Sequence, residues 1–108
     1  MTQFPKVTRT VVVNNPQGFH MRPAHQFVQR AKEFQSQIYV IKGDKRCDGR
    51  SIMELLTLVA PQGTQLTIEA QGPDAQQAVE VLAQIVAQVF PEDEQDEAPP
   101  PSAATESP

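Results

Sequence analysis

Apolar residues in this chain fall either into short β-rich runs or into stripes spaced three or four residues apart, and turn residues separate the two patterns. Val and Thr dominate the first run, and apolar and polar residues alternate in the last one. These patterns predict four strands, at residues 6–13, 37–42, 45–48 and 65–71. Helical spacing and capping signals predict three helices, over residues 20–34, over 52–59 and from 74 onward. The predicted order is therefore β-α-β-β-α-β-α.

Capping signals mark where the second and third helices begin. Ser51 is followed three residues later by Glu54, which matches the capping box. Asp74 is the predicted N-cap of the last helix, with Gln77 in the third position behind it. Pro91 is expected to end that helix because proline cannot continue it. Its predicted apolar stripe consists of Ala78, Val79, Leu82, Ile85, Val86 and Val89.

This order of elements favours an α+β fold, with the helices packed on one face of an antiparallel sheet. Residues 6–90 are expected to form one domain, preceded by a flexible leader at 1–5. Residues 91–108 hold six acidic residues, no basic residue and five of the ten prolines. They include no large apolar residue, so we expect a disordered acidic Pro-rich tail, most simply an inert one.

The charge of the chain is unevenly distributed. The formal net charge is −4, and the tail alone contributes −6, which leaves nine basic and seven acidic residues, or +2, for residues 1–90. This slight excess is far below the basic density of nucleic-acid-binding proteins. No apolar run approaches the ~18 residues of a membrane span, and no secretory signal is visible, so a cytoplasmic protein without membrane insertion is expected. Cys47 is the single cysteine, and it is interpreted as a strand residue without a redox role.

A turn-rich stretch, N-N-P-Q-G-F-H-M-R-P at residues 14–23, joins the first predicted strand to the first helix. Gly18 is free to take a positive φ, and Pro23 suits the first turn of a helix. His20 is therefore placed at the helix start, with Arg22 two residues on. Main-chain amides and the helix dipole favour negative charge there and disfavour imidazolium, so His20 is predicted to be neutral and nucleophilic.

Arg22 adds a guanidinium that can donate two hydrogen bonds to phosphoryl oxygens. The stretch as a whole predicts a phosphate-handling site, although a single histidine in a loop is also a common surface residue. A metal site is not predicted, because His25 is the only other histidine and no carboxylate or thiolate cluster accompanies the pair. No cofactor is expected.

The segment G-F-H-M-R-P resembles the active-site motif of the HPr family, the histidine-containing phosphocarriers of the phosphoenolpyruvate-dependent sugar phosphotransferase system. R-S-I-M-E-L-L, thirty residues downstream, is similar to that family's regulatory serine segment. Q-G-T-Q-L-T-I-E-A-Q-G-P-D-A-Q-Q-A is similar to its last strand and helix opening. The resemblance covers residues 6–90. It implies the family fold, an open-faced β-sandwich with a four-stranded antiparallel sheet and three helices on one face.

The resemblance also implies a function. His20 would accept a phosphoryl group on Nδ1 from phospho-enzyme I and pass it to EIIA-type domains. Arg22 would contact the phosphoryl group, and Pro23 would help to set the helix start. Such a protein is a carrier that forms a transient phosphohistidine rather than an enzyme, and a monomer is expected.

A second site is implied at Ser51, which resembles the serine that HPr kinase/phosphorylase phosphorylates, although a helix N-cap alone would also explain this serine. The resemblance further implies that exposed residues of the first two helices dock partners. Met21 stands where family members often have alanine, and His25 stands where a small apolar residue is common. The candidate docking residues are Met21, His25, Ile52, Met53 and Leu56, with Met53 the leading one.

Two alternative functions stay open. The chain could be a regulatory HPr-like binding module that signals through Ser51 and moves little sugar. It could also be a nitrogen-branch paralogue with the same His20 chemistry and a regulatory output.

Overall fold

The computed structural model describes residues 4–90. Its strands are β1 (Lys6–Val12), β2 (Gln37–Lys42), β3 (Lys45–Asp48) and β4 (Gln65–Gln71). Its helices are α1 (Met21–Ala31), α2 (Ile52–Leu56) and α3 (Ala75–Ala87). The predicted order of elements is confirmed. The tail predicted at 91–108 and most of the leader predicted at 1–5 lie outside the described residues.

The four strands form one antiparallel sheet in the order β1-β4-β2-β3. The register aligns Val40 of β2 with Ile68 of β4 on one side and with Cys47 of β3 on the other. These three residues and their neighbours on the same face are buried in one core with the apolar faces of the helices. The α+β fold with an antiparallel sheet and three helices is therefore confirmed.

The helices of residues 4–90 pack on that one face of the sheet, and the opposite face contains a buried carboxylate. Glu69 of β4 is 7% exposed because charged side chains from two other strands enclose it. Arg46 Nη2 lies 2.7 Å from Glu69 Oε2, and Lys6 Nζ lies 3.9 Å from the same oxygen. The Arg46 guanidinium also stacks on the ring of Tyr39, 3.8 Å from its centroid. These pairings offset the cost of burying the charge.

The helices end earlier than the sequence predicts. α1 ends at Ala31, and the N–H groups of Glu33 and Phe34 bond to carbonyls three residues earlier, so Phe34 is buried from a turn. α2 ends at Leu56, and the chain then takes a left-handed conformation at Val59, with φ of 47°. α3 ends at Ala87, which leaves Val89 outside the helix and 52% exposed, so its assignment to the apolar stripe is wrong.

Asp74 is the N-cap residue of α3, but its carboxylate does not cap that helix. It accepts hydrogen bonds from the backbone N–H of Gln35 at 2.9 Å, from that of Ser36 at 3.1 Å and from the Ser36 hydroxyl at 2.6 Å. The turn after α1 is thereby tied to the start of α3. Desolvation would raise the pKa of Asp74, but the hydrogen bonds from Ser36 and Gln35 outweigh it and lower the pKa below 3.8.

The Asp74 carboxylate should make the free energy of unfolding depend on pH in the acid range. Because the pKa of Asp74 is lower in the folded than in the unfolded chain, its contribution is complete above pH 3.8 and is lost as pH falls through the folded value. Asp74→Asn is expected to lower the free energy of unfolding by about 1–3 kcal/mol at neutral pH and by less in acid. Urea unfolding at pH 7 and about pH 2 measures both. Asp44→Asn, in an exposed turn, is the control, and equal losses for Asp74→Asn at the two pH values would contradict the prediction.

Candidate functional site

The loop between β1 and α1 is fixed by hydrogen bonds within itself and to the chain that follows α2. The Phe19 N–H donates to the Ala60 carbonyl at 2.8 Å, and the Gly18 N–H donates to the Asn15 carbonyl at 2.8 Å. Gly18 has a φ of 80°, as the sequence predicts, and a Cβ there would lie 2.7 Å from the Ala60 oxygen. Phe19 is buried edge-on against Phe27. The backbone just before His20 is therefore held by the hydrogen bond of Phe19 to Ala60 and by the packing of the Phe19 ring.

His20 is the N-cap residue of α1, with φ of −96° and ψ of −162°. Its carbonyl accepts the Ala24 N–H at 3.0 Å, which starts the helix. Pro23 is the third helical residue and has no N–H, so the amides of Met21 and Arg22 are the ones left outside the helix's own hydrogen bonding. The Arg22 N–H points at Nδ1 of His20 at 3.5 Å, a long hydrogen bond. Nδ1 therefore lies at the positive end of the helix.

The two ring nitrogens of His20 have different surroundings. Nε2 is buried and has no hydrogen-bond partner among residues 4–90. Nδ1 accepts the long hydrogen bond from the helix start, a contact that fits the tautomer with the proton on Nε2. The lone pair available to an electrophile is thus the one on Nδ1.

Two residues that the sequence did not single out, Asn15 and Phe90, complete this site. Asn15 is buried; its Nδ2 donates to the Gly18 carbonyl at 3.0 Å and its Oδ1 accepts the Phe90 N–H at 2.8 Å. The guanidinium of Arg22 lies over the Phe90 ring, 5.5 Å from the centroid. The end of the domain is therefore packed beside the two residues predicted to handle phosphate.

Residues 7–88 match the family model described as the PTS HPr component phosphorylation site. This chain belongs to the HPr family. The phosphocarrier protein HPr of Haemophilus influenzae is 51% identical over 69 residues, which are 64% of this chain and 81% of that protein. The HPr of Neisseria meningitidis serogroup A is 35% identical over 86 residues, 80% of this chain and 97% of that protein. Membership places the chain among the phosphocarriers of the phosphotransferase system, which are carriers rather than enzymes in the ordinary sense.

Solved HPr structures share the fold. The crystal structure of HPr from Bacillus anthracis gives a TM-score of 0.72 at 37% identity and covers 75% of this chain and 96% of that one. Crh from Bacillus subtilis gives a TM-score of 0.61 at 41% identity, covers 74% of this chain and 92% of that one, and is described as a swapped dimer. Because an HPr-fold protein of this similarity forms a dimer, the expected monomer stays a prediction.

The candidate docking residues of this HPr-family chain are unequally exposed. Met21 on α1 is 57% exposed and Met53 on α2 is 74% exposed, and His25 is also exposed. Ile52 and Leu56 are half-buried against the core. Leu55, which the sequence did not separate from its neighbours, is the fully buried residue of α2. Met21, His25 and Met53 are therefore the most accessible of the five, and Ile52 and Leu56 also contribute to the core.

Two lysines of the β2–β3 hairpin hold the far end of α2. Lys42 Nζ donates to the carbonyls of Leu58 at 3.2 Å and Val59 at 2.7 Å. Lys45 Nζ donates to the Thr57 carbonyl at 3.1 Å. Positive charge at the C-terminal end of a helix complements its dipole, so these contacts stabilise a helix of only five residues.

Ser51 caps α2 as predicted, since its Oγ accepts the Glu54 N–H at 3.2 Å. The capping box is only half formed. The Glu54 carboxylate accepts the Asp48 N–H at 2.9 Å instead of returning to Ser51, whose own N–H bonds to the Asp48 carbonyl. Cys47 is buried against α2, with its Sγ 3.3 Å from the Glu54 carbonyl oxygen.

Two kinds of feature are missing from residues 4–90. No helix in this range is long and apolar enough to cross a membrane. No group of three or more metal-ligating side chains occurs there either.

Proposed function

We propose that His20 is the phosphoryl acceptor, taking the group from phospho-enzyme I on Nδ1 and passing it to EIIA-type domains in the cytoplasm. The observation that carries this proposal is the asymmetry of the ring. Nε2 is buried, whereas Nδ1 lies at the start of α1, where the Arg22 N–H points at it. A dianionic group on Nδ1 would meet the positive end of the helix, where anions are stabilised.

The transfer step follows from this geometry. The Nδ1 lone pair attacks phosphorus, and an N–P bond forms as the bond between phosphorus and the donor breaks. The donor keeps that electron pair, and Nε2 keeps its proton throughout, so the phosphorylated ring can reverse the step towards the next acceptor. Little covalent chemistry is needed from the protein, because phosphoryl transfer depends on positioning and charge stabilisation.

The proposed carrier function has a direct test. Incubation with phosphoenolpyruvate and enzyme I should add one phosphoryl group to the intact chain, and acid should remove it, because phosphohistidine is acid-labile whereas phosphoserine is not. Adding an EIIA domain should transfer the group. A label that survives acid would contradict the proposal and favour a regulatory module modified on a hydroxyl.

Arg22 is proposed to stabilise the transferred group through charge-assisted hydrogen bonds. Such bonds contribute about 1.5–3 kcal/mol, so Arg22→Ala is expected to slow phosphorylation by about 10- to 100-fold. The initial rate with enzyme I measures this, and urea unfolding checks the fold because Arg22 also covers Phe90. Arg30→Ala, an exposed arginine in the last turn of α1, is the control. Equal rates for the two variants would remove Arg22 from this role.

Ser51 is proposed as a regulatory phosphorylation site, because its hydroxyl lies at a helix start beside the proposed docking residues Ile52 and Met53. We expect HPr kinase with ATP to add an acid-stable phosphate to the wild-type chain. Asn caps helices about as well as Ser, so Ser51→Asn should fold normally and gain no phosphate. An acid-stable label on Ser51→Asn would place the modification elsewhere.

The docking face is proposed to be formed by Met21, His25, Met53, Ile52 and Leu56, which adjoin His20 and Ser51 on α1 and α2. The exposed methionines suit this role, because their flexible side chains adapt to partners of different shape. A phosphate on Ser51 would add negative charge to this face and weaken the binding of an acidic partner.

A further inference from the structure

The last described residues lie against the loop that carries His20. Phe90 donates its N–H to Asn15, and the carbonyl of Ala87 accepts from Asn14 Nδ2 at 3.0 Å. The Phe90 ring is 4% exposed and lies beneath the Arg22 guanidinium. The chain beyond Phe90 therefore starts from a fixed point beside the phosphoryl-acceptor site.

The sequence that follows this point is strongly acidic. Five carboxylates fall within residues 92–97, and no basic residue occurs in 91–108. The matched family region ends at residue 88, so this segment is additional to it. The domain offers the opposite charge, since residues 1–90 sum to +2 and the first turn of α1 holds no acidic residue of its own.

The distances are short enough for contact. A chain spans at most about 3.6 Å per residue, so two or three residues of chain reach at most about 7–11 Å from a fixed point. The Arg22 guanidinium is 5.5 Å from the centre of the Phe90 ring. A short tether gives an effective concentration in the millimolar range, so even weak charge pairing can be populated.

We propose that the acidic segment 92–97 binds in solution to the anion site formed by Arg22 and the first amides of α1. There it competes with the phosphoryl group and with acidic surfaces of partner proteins. By thermodynamic linkage, phosphorylation of His20 weakens the binding of the segment by the same factor by which the bound segment disfavours phosphorylation. The competition rests on the proposed carrier function, whereas the contact itself does not.

The contact can be tested on the full chain without any phosphoryl transfer. A nitroxide on Gln95→Cys leaves every carboxylate in place, and the native Cys47 is buried. We expect the label to broaden the amide signals of Met21 and Arg22 at about 0.01 M salt. The broadening should weaken at about 1 M salt, where the Debye length falls from about 30 Å to about 3 Å, whereas a label held near only by its tether would broaden these signals equally at both salt concentrations. Equal spectra at the two salt concentrations would overturn the proposal.

The competition is tested with a full-length variant in which the five carboxylates become amides. Its substitutions are Glu92→Gln, Asp93→Asn, Glu94→Gln, Asp96→Asn and Glu97→Gln. At low salt, enzyme I should phosphorylate it about two- to tenfold faster than wild type, because freeing an occupied site raises the competent fraction. The difference should disappear at high salt, and the distal Glu106→Gln should match wild type.

The two measurements separate the explanations. A faster variant without salt-dependent broadening would indicate general charge repulsion between the chain and enzyme I, and it would overturn occupancy of the site. Salt-dependent broadening with unchanged rates would overturn the competition. If neither protein is phosphorylated, the proposed carrier function fails, and the label alone decides whether the segment binds.

Discussion

His20→Ala is expected to abolish phosphorylation by phosphoenolpyruvate and enzyme I. The substitution removes the only nucleophilic nitrogen at the start of α1, and no other residue of the loop can replace it. Intact-mass analysis after incubation should find the wild-type chain with one acid-labile phosphoryl group and the variant with none. Removing the N-cap side chain should cost at most about 1 kcal/mol, so the variant should stay folded.

His25→Ala is the matched control, because it removes the other histidine of the chain from an exposed position on the same helix. It should still accept one phosphoryl group, although its rate can change if His25 contacts enzyme I. Phosphorylation of His20→Ala at the wild-type level, or its absence from His25→Ala, would exchange the roles of the two histidines.

Gly18→Ala should be the most damaging single-methyl change in the loop before His20. The residue has a φ of 80°, which costs a non-glycine residue about 1–2 kcal/mol. The added Cβ would also lie 2.7 Å from the Ala60 carbonyl oxygen, and forcing the backbone apart costs about 1–3 kcal/mol more. We expect the free energy of unfolding to fall by about 2–5 kcal/mol. The Phe19 N–H donates a hydrogen bond to that same carbonyl. Slower phosphorylation of His20 should therefore accompany the loss of stability.

Gly63→Ala separates the cost of the positive φ from the cost of the contact with Ala60. Gly63 has a φ of 93°, but a Cβ there would meet nothing within 4 Å. It should therefore lose only the conformational part, about 1–2 kcal/mol, and keep its phosphorylation rate. Urea unfolding of the two variants gives the comparison, and equal losses would show that contact with Ala60 is unimportant.

Local signals in the sequence were sufficient for most of the fold. The predicted bounds of β2, β3 and β4 agree with the structure, because β-rich runs bounded by turn residues depend on near neighbours. The same holds for the start of α1, where Gly18, His20 and Pro23 act within a few residues of one another. Helix ends were predicted less well, since nothing local distinguishes Phe34 or Val89 from residues inside a helix.

The missed parts of the site depend on contacts between distant residues. Asn15 and Phe90 are 75 residues apart, and Asp74 bonds to Ser36 across 38 residues. Asp74 has a strong local preference to cap α3, but three donors from another turn outweigh it. An asparagine in the turn before His20 and a lone phenylalanine before the acidic stretch were the only hints that the sequence offered.

The enclosed carboxylate of Glu69 has a consequence for how the sheet assembles. Its two cationic partners come from β1 and β3, the strands at opposite edges, so both of them pair with it only when all four strands are aligned. A slip of β4 by one residue would turn Glu69 towards the helices and bury an unpaired charge among apolar side chains, at a cost of several kcal/mol. One acidic residue thus penalises misaligned strand pairings while the chain is folding.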